Sequence, residues 1–390
     1  MFPASLLAPS GPGASVYSTK VEPPILGDAL CGQIAAEIDN SRRRLGQAPL
    51  VRDGRLDRVA HDIARATGGR RALPPDAVAF LLWHYGIVEP EPNLFLLRGD
   101  DGAEGSALAS LKAQSAGAPA AAEWRRLGIG VQREIGQWSA VVVLQDKNLD
   151  IEAVPRQWRQ GGQTLVAGRI RAVFRSPEVL VTPPHGAVER PPVTRRHDGF
   201  VTRVPCNRGE GTYQIEISAL DDRGPRVLAN FPVYCGTEPP GTIPVAAEAA
   251  PSVRNPAEAE RQLLELLDRD RKQAGLPALV RDPRLSAVAR RYSREMAETG
   301  EVAHFSPRTG SVVDRVRVAG VTPPPTILAE NVGSAASAAD AELAFMSSPG
   351  HRDNILQPEV THVGVGVVAG REEGGVVALY FTQIFAGWAK

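Results

Sequence analysis

The stretch LELLDRDRKQAGLPALVRDPRLSAVAR (264–290) predicts two helices joined by a short loop. Asn255 and Pro256 form a cap and a first turn ahead of the first helix, and Asp282 and Pro283 do the same for the second. Apolar residues recur three and four positions apart in both segments, which gives each helix one face that a core can bury.

This stretch has a second copy earlier in the chain. AAEIDNSRRRLGQAPLVRDGRLDRVAH (35–61) aligns with it without a gap, and eleven of the 27 positions are identical. WRRLGIGVQREIGQWSAVVVLQ (124–145) likewise resembles VTHVGVGVVAGREEGGVVALYFTQ (360–383), with a Gly-x-Gly in each. Because both matches occur in the same order at nearly the same spacing, we predict a duplicated domain, with copies at about 28–148 and 255–388.

The region between the copies has a different pattern. Short strand-like runs alternate with turn residues, and Tyr213, Ile215 and Ile217 keep the period of two that is typical of a half-buried strand. We predict a small all-β sandwich of immunoglobulin-like type at 150–238, followed by a proline-rich linker at 239–254. The chain is therefore expected to be multidomain, with α+β and all-β parts.

Composition excludes several classes of function. The 390 residues are 43% hydrophobic and 23% charged, as in a folded protein of two or three domains. Basic and acidic residues number 44 each, so we expect no nucleic-acid partner. Apolar runs are shorter than a membrane span, so we expect no transmembrane segment.

The compartment is left open by the sequence. The first 20 residues do not form a recognisable signal peptide, so the chain has either a cytoplasmic start or a start placed downstream of the true one. Cys206 and Cys235 each follow a strand-like run, and they either form a disulfide or remain buried thiols. A disulfide would require an oxidising compartment.

Three side chains near the ends of predicted elements form the candidate site. His304 follows a helix that ends at Gly300, Glu330 lies in LAENVG (328–333), and His351 lies in a turn, SSPGHRDNIL (347–356), after a third helix. Two imidazoles and a carboxylate suit a divalent metal such as zinc, or a general acid–base cluster. Alternatively, each histidine bonds a nearby carbonyl and the glutamate caps a helix.

Five motifs in register, AHFSP, LAENVG, SSPGHRDNIL, VGVGV and YFTQIF, resemble the bacterial, SCP-like branch of the CAP superfamily (cysteine-rich secretory proteins, antigen 5, pathogenesis-related 1). The resemblance covers about residues 258 to 386. It implies an α-β-α sandwich in which His304, Glu330 and His351 face one cleft. It also implies a secreted or envelope-associated protein that binds a metal, a lipid, a peptide or another small molecule, or a cell-envelope partner.

The chain departs from the family pattern in two respects. Tyr380 stands where eukaryotic relatives carry a histidine, and the fourth acidic residue of the family has no counterpart. In the first copy, RRALP (70–74), EPEPN (89–93) and AQSAGAPAA (113–121) stand opposite the cleft motifs without a histidine. We therefore predict that the first copy is a degenerate CAP-like domain. His61 and His84, in its core-facing elements, are expected to be structural.

Three functional hypotheses follow. The first is a binding protein that uses the C-terminal cleft. The second is a metal-assisted peptidase or other hydrolase with His304 and His351 as metal ligands and Glu330 as base. The third is a structural or interaction module with a vestigial cleft. Serines precede or follow both histidines, but the sequence shows no third group that would orient a histidine for nucleophilic catalysis.

Overall fold

The computed structural model describes residues 5–25, 27–68, 73–90, 92–105, 108–109, 111, 124–196, 199–245, 255–373 and 376–388. The chain divides into two compact units. The N-terminal unit comprises Met1–Ala172, Pro192–Tyr213 and Leu228–Ala247, and the C-terminal unit comprises Val173–Pro191, Gln214–Val227 and Glu248–Lys390. The C-terminal unit thus contains two segments of the predicted sandwich region as well as the second copy.

The helices of the described residues are α1 (Ala29–Arg44), α2 (Gly54–Thr67), α3 (Pro75–His84), α4 (Pro256–Gln273), α5 (Pro283–Thr299), α6 (Val312–Val318), α7 (Ala338–Ser347) and α8 (Pro349–Ile355). The strands are β1 (Ser5–Leu7), β2 (Val16–Tyr17), β3 (Val51–Arg52), β4 (Asn93–Asp100), β5 (Arg126–Glu134), β6 (Gln137–Gln145), β7 (Leu149–Ile151), β8 (Val154–Pro155), β9 (Gln157–Trp158), β10 (Gln163–Ile170), β11 (Arg175–Thr182), β12 (Thr194–Arg196), β13 (Gly199–Pro205), β14 (Gly211–Asp221), β15 (Gly224–Cys235), β16 (Ile243–Val245), β17 (Val280–Arg281), β18 (Ile327–Ala335), β19 (His362–Glu373) and β20 (Val376–Gly387). None of these helices is both long and apolar enough to cross a membrane.

The C-terminal unit contains a four-stranded sheet with the order β17-β19-β20-β18. The short strand β17 runs parallel to β19, and the other neighbours are antiparallel. Helix α4 begins as predicted, because the Asn255 side chain accepts a hydrogen bond from the backbone of Ala257. Helix α5 begins with the equivalent bonds from Arg284 and Leu285 to Asp282. These caps fix where the two helices begin.

Helices cover both faces of this sheet. On strand β19, Val363, Val365 and Val367 pack with α4 and α7 in one apolar cluster. The alternate residues Gly364 and Gly366 face α5: a Cβ added to Gly366 would lie 2.1 Å from the backbone nitrogen of Arg290. Because side chains alternate across a strand, the glycines let α5 lie directly on the sheet while the valines fill the opposite core. The C-terminal region therefore has the mixed α-β-α arrangement that the family resemblance implies.

Two local predictions differ from the structure in this unit. The segment 347–356 is not a simple turn, because Pro349–Ile355 forms helix α8. Pro349 has no amide to continue α7, and its fixed φ suits the first turn of a new helix. Glu330 is not at an element end either, since it lies inside strand β18. The polar residues of LAENVG hide the strand from a pattern based on alternating hydrophobicity.

The N-terminal unit has a sheet with the same connectivity, β3-β5-β6-β4, with β3 parallel to β5 and the other neighbours antiparallel. Its glycines match as well: a Cβ on Gly128 would lie 2.3 Å from the backbone of Leu56, as one on Gly364 would from Leu285. Val141 and Val143 pack with α2 and α3 in one cluster. The aligned repeat thus corresponds to the same order of helices and strands in both copies.

The remaining strands of the N-terminal unit include an antiparallel sheet β12-β13-β10-β7. Cys206 and Cys235 are joined by a disulfide with their Cα atoms 5.9 Å apart, and Cys31 is a buried free thiol. Part of the segment predicted as a linker, 239–254, is a strand instead. Ile243–Val245 pairs with Ser5–Leu7. Leu7 and Val245 are buried together with α2 and α3, which explains why this part is packed against the domain and is not a free linker. Residues 246–254 lie outside the described part.

Candidate functional site

His304 lies in the loop after α5, which ends at Gly300 in the left-handed conformation. Its side chain is one-quarter exposed, and its Nδ1 is 3.2 Å from Oε2 of Glu330. Because a carboxylate only accepts hydrogen bonds, the neutral ring carries its proton on Nδ1 and a lone pair on Nε2. No described residue forms a hydrogen bond with Nε2. A buried carboxylate therefore orients His304. This contact was not predicted from the sequence.

Glu330 is held from two sides. Its side chain is 2% exposed, and its Oε1 accepts a hydrogen bond from Nη2 of Arg315 on α6. The Arg315 guanidinium lies over the ring of Tyr292, with 3.4 Å between Cζ and the ring centroid. Both carboxylate oxygens are thus engaged, one by Arg315 and one by His304. Helix α6 and Arg315 were not predicted from the sequence, although Ser311 and Asp314 form a capping box, which is typical of a helix start.

His351 lies near the start of α8 and faces the other imidazole. The ring centroids of His304 and His351 are 6.3 Å apart, and the ring of Phe345 meets His351 edge-on at 5.1 Å. Nδ1 of His351 is buried and has no hydrogen-bond partner among the described residues. Burial, together with the neighbouring His304, lowers the pKa of His351 to about 3. The ring is therefore uncharged at neutral pH.

Side-chain amides hold the backbone of both site residues. Nδ2 of Asn331 donates to the carbonyl of His351 at 3.2 Å, and Nδ2 of Asn354 donates to the carbonyl of Glu330 at 3.3 Å. The two asparagines are also bonded to each other at 2.9 Å. This pair accounts for the asparagines of LAENVG and SSPGHRDNIL.

The amide network ends on a buried acid that the sequence analysis did not single out. Asn331 donates to Oε1 of Gln383 at 2.9 Å, and Nε2 of Gln383 donates to Oε2 of Glu342 at 2.9 Å. Burial raises the pKa of Glu342 to about 8, although the bond from Gln383 opposes this shift. The glutamine of YFTQIF is thus part of the support of the site.

The serines beside the histidines are bonded elsewhere. The Ser306 hydroxyl donates to Glu295, and the Ser348 hydroxyl donates to Glu216. A serine nucleophile requires a hydrogen bond to the base that activates it. These two contacts therefore do not form a nucleophile–base pair with His304 or His351.

The three predicted ligands come together but do not form a metal-binding geometry. Among the described residues, no group of three His, Cys, Asp or Glu side chains is placed to hold a metal ion. Two imidazoles on one tetrahedral zinc have centroids about 5 Å apart, whereas those of His304 and His351 are 6.3 Å apart. Oε1 of Glu330 is bonded to Arg315, which leaves only Oε2 for an ion. The residues do not fit the three-ligand zinc site.

In the described part of the first copy, the position of the cleft carboxylate is occupied by an apolar residue. Glu330 pairs with Ile384 across strands β18 and β20, and the equivalent pair on β4 and β6 is Leu94 with Val143. A leucine thus stands at the register position of the carboxylate. The segments that align with the two histidine motifs, 70–74 and 113–121, lie largely or wholly outside the described residues.

The two histidines of the first copy make backbone contacts. Nδ1 of His61 is 3.2 Å from the carbonyl of Val131, and Nε2 of His84 is 2.9 Å from the carbonyl of Gly11. Burial lowers the pKa of His84. These contacts are typical of structural histidines.

The depressed pKa of His351 predicts a measurable pH dependence. Below the unfolded-state pKa near 6.5, the unfolded chain takes up a proton on His351 that the folded chain does not bind until about pH 3. The contribution of this residue to stability is therefore full above pH 6.5 and is lost as the pH falls toward 3. We expect His351→Phe to flatten the pH dependence of the unfolding free energy over this window. Imidazole nitrogen shifts of His351 that titrate near 6.5 in the folded protein would contradict this.

Comparisons with known proteins agree with this architecture. Residues 264–385 match the family model described as CAP, the cysteine-rich secretory protein family. The uncharacterized protein YkwD of Bacillus subtilis is 35% identical over 129 residues, which cover 33% of this chain and 47% of that protein. The uncharacterized membrane protein YlbC of the same organism is 32% identical over 111 residues, 28% of this chain and 31% of that protein. The matches thus span less than half the length of either relative.

Among solved structures, an extracellular protein with an SCP domain from Bacillus anthracis is similar at 18% identity and a TM-score of 0.31. The similarity covers 58% of this chain and 77% of that one. The family match coincides with the sheet β17-β19-β20-β18 and its helices. The C-terminal part of this chain is therefore a bacterial CAP domain of the cysteine-rich secretory protein family.

Proposed function

We propose that this chain is an exported or envelope-associated binding protein whose C-terminal cleft holds a lipid or peptide ligand. The cleft is formed by His304, Glu330 and His351. The observation that carries the proposal is the contact between Nδ1 of His304 and the buried carboxylate of Glu330. Because this contact fixes the tautomer, Nε2 of His304 can accept a hydrogen bond from a hydroxyl or an amide of the ligand.

The other side of the cleft is uncharged. His351 stays neutral at pH 7, and it packs against Phe345 rather than against an acid. One oriented polar atom beside an apolar aromatic wall suits an organic ligand, for which apolar contacts supply affinity and a few polar groups set the orientation.

Export is supported by the disulfide between Cys206 and Cys235. Disulfides of this kind persist in oxidising compartments and are rare in the cytosol. The family to which the C-terminal part belongs is named for secretory proteins. The compartment is thus proposed from chemistry and family together.

The contacts give less support to a metal-assisted peptidase. A metal-bound mechanism needs ligands that converge on one ion and a carboxylate that is free to act as base. In this site Glu330 is ion-paired with Arg315, and among the described residues no three His, Cys, Asp or Glu side chains converge on one ion. The cleft is better suited to holding a molecule than to activating water.

The rest of the chain is proposed to be a scaffold. The first copy keeps the sheet order of a CAP domain but has Leu94 in place of the cleft carboxylate. We assign it as a degenerate CAP-like domain that serves packing or partner binding. The strands of 150–238 are assigned as an immunoglobulin-like sandwich that acts as a spacer or docking module.

The proposal is tested by binding measurements on the full chain. A fluorescent long-chain fatty acid and a random peptide library serve as probes, and the wild type is compared with the double variant His304→Ala/His351→Ala. We expect one probe class to bind the wild type and to bind the variant at least tenfold more weakly. His185→Ala, at an exposed histidine of the same unit, is the control and should bind as wild type. Equal binding by all three proteins would contradict the proposal and favour a structural or interaction module with a vestigial cleft.

A further inference from the structure

Strand β14 carries a carboxylate in an unexpected place. The period of two buries Ile215 and Ile217, so the residue between them should be exposed. Glu216 is nevertheless only 2% exposed. An acid that loses its hydration in this way requires hydrogen-bond donors from the protein. Its donors come from the segment that carries His351.

Glu216 bonds to the start of helix α8. The Ser348 hydroxyl donates to Oε2 of Glu216, and the backbone nitrogen of Gly350 donates to Oε1 at 3.2 Å. A Cβ on Gly350 would lie 2.8 Å from the same oxygen, so any larger residue there would displace the carboxylate. Gly350 immediately precedes His351. The carboxylate thus fixes the backbone from which the imidazole extends.

A second contact reaches α8 at the surface, from the chain between β11 and β12. Nη2 of Arg190 is 2.8 Å from Oδ2 of Asp353, with both side chains partly exposed. Because exposed ion pairs contribute little to stability, we assign the main support to the buried acid. Burial raises the pKa of Glu216 to about 7, while the bonds from Ser348 and Gly350 lower it, and the nearby charges are Glu178 and Arg190.

The tip of the hairpin between β14 and β15 lies against the other histidine. The backbone nitrogen of Phe305 donates to the carbonyl of Arg223 at 2.9 Å. Gly224 has a φ of +103°, and a Cβ there would lie 3.1 Å from the Cβ of His304. The glycine therefore allows the tip to approach the His304 loop closely.

We propose that the segment Gln214–Val227 positions the site, with Glu216 fixing the backbone at His351 and the tip at Arg223 and Gly224 fixing the loop of His304. The inference rests on the proposed function, since it takes this cleft as the binding site. It adds a residue outside the CAP sequence motifs: Glu216 is a positioning residue for His351. The spacing of the two imidazoles is then set by strand β14 and its hairpin, not by the CAP motifs alone.

The test measures the reactivity of each histidine and needs no ligand. Diethyl pyrocarbonate modifies neutral, accessible imidazoles, and mass spectrometry of the digested full chain gives a rate for each residue. In Glu216→Ala we expect His351 to react at least tenfold faster than in wild type, relative to the exposed His185. Glu216→Gln keeps an acceptor for Gly350 and should restore a rate within about twofold of wild type.

Glu178→Ala is the matched control, because that acid is exposed and lies near Arg190 without bonding to α8. Its His351 rate should equal that of wild type. If Glu216→Ala does not fold, Ser348→Ala removes one of the same bonds from the other side and should raise the rate severalfold. A folded variant with unchanged His351 reactivity would overturn the inference. Failure of every probe to bind, with the rates changed as expected, would instead remove the proposed function and leave the positioning role.

Discussion

Replacing Glu330 with alanine is expected to lower the free energy of unfolding of the C-terminal unit by about 3 to 5 kcal/mol. The side chains of Glu330 and Arg315 are 2% and 5% exposed, so the substitution would leave a buried guanidinium without its counter-ion. Hydrogen exchange of the amides in strand β20, measured against denaturant, reports the stability of this unit. The size of the loss follows from the uncompensated charge, not from the net strength of the ion pair.

A double variant separates the cost of the uncompensated charge from the net strength of the ion pair. Arg315→Met keeps a long apolar side chain over Tyr292, and combining it with Glu330→Ala removes both charges together. We expect the double variant to be more stable than Glu330→Ala alone, by about 1 kcal/mol or more. The contrary result is that the unfolding free energies lost in Glu330→Ala and in Arg315→Met simply add in the double variant. That result would show that Arg315 does not depend on Glu330, and it would contradict the buried pair as the support of the site.

Gly366→Ala is expected to destabilise the same unit by about 3 kcal/mol or more, at the upper end for overpacked cores. The added Cβ would lie 2.1 Å from the Arg290 nitrogen and 2.3 Å from the Ala289 carbonyl carbon, both backbone atoms of α5. Helix α5 would have to move off the sheet, and the His304 loop that follows it would move too. Chemical denaturation followed by exchange in α5 and β20 measures this change.

Gly32→Ala is the control for the glycine substitution itself. Nothing lies within 4 Å of a Cβ added there, and the position is inside helix α1. It should therefore raise stability by about 0.5 to 1 kcal/mol, because alanine loses less backbone entropy in a helix. A Gly366→Ala protein as stable as wild type would contradict the close packing of α5 on β19.

Local signals predict much of the C-terminal unit. Asn255 and Asp282 cap their helices as expected, and Gly300 ends α5. The sequence predicts these helix ends because each depends on residues that are close together in the chain. The proximity of the two histidines was expected from the family resemblance, and the structure places their rings 6.3 Å apart.

The support of the site could not be predicted in the same way. Arg315, Glu342 and Glu216 act through partners 15, 41 and 132 residues away, and no local pattern indicates such pairs. Each is a buried polar side chain, which hydrophobic periodicity assigns to the surface. The strand that carries Glu330 was missed for the same reason. The orientation of His304 by Glu330 follows only from the fold.

The most direct test of the binding cleft is a calorimetric titration of the wild type and His351→Ala, first with zinc and then with the fatty acid or peptide that the screen selects. The account predicts little or no zinc binding to either protein, and an organic probe whose heat of binding is strongly reduced in the variant. Tight zinc binding to the wild type that disappears in His351→Ala would contradict the account and make the cleft a metal site.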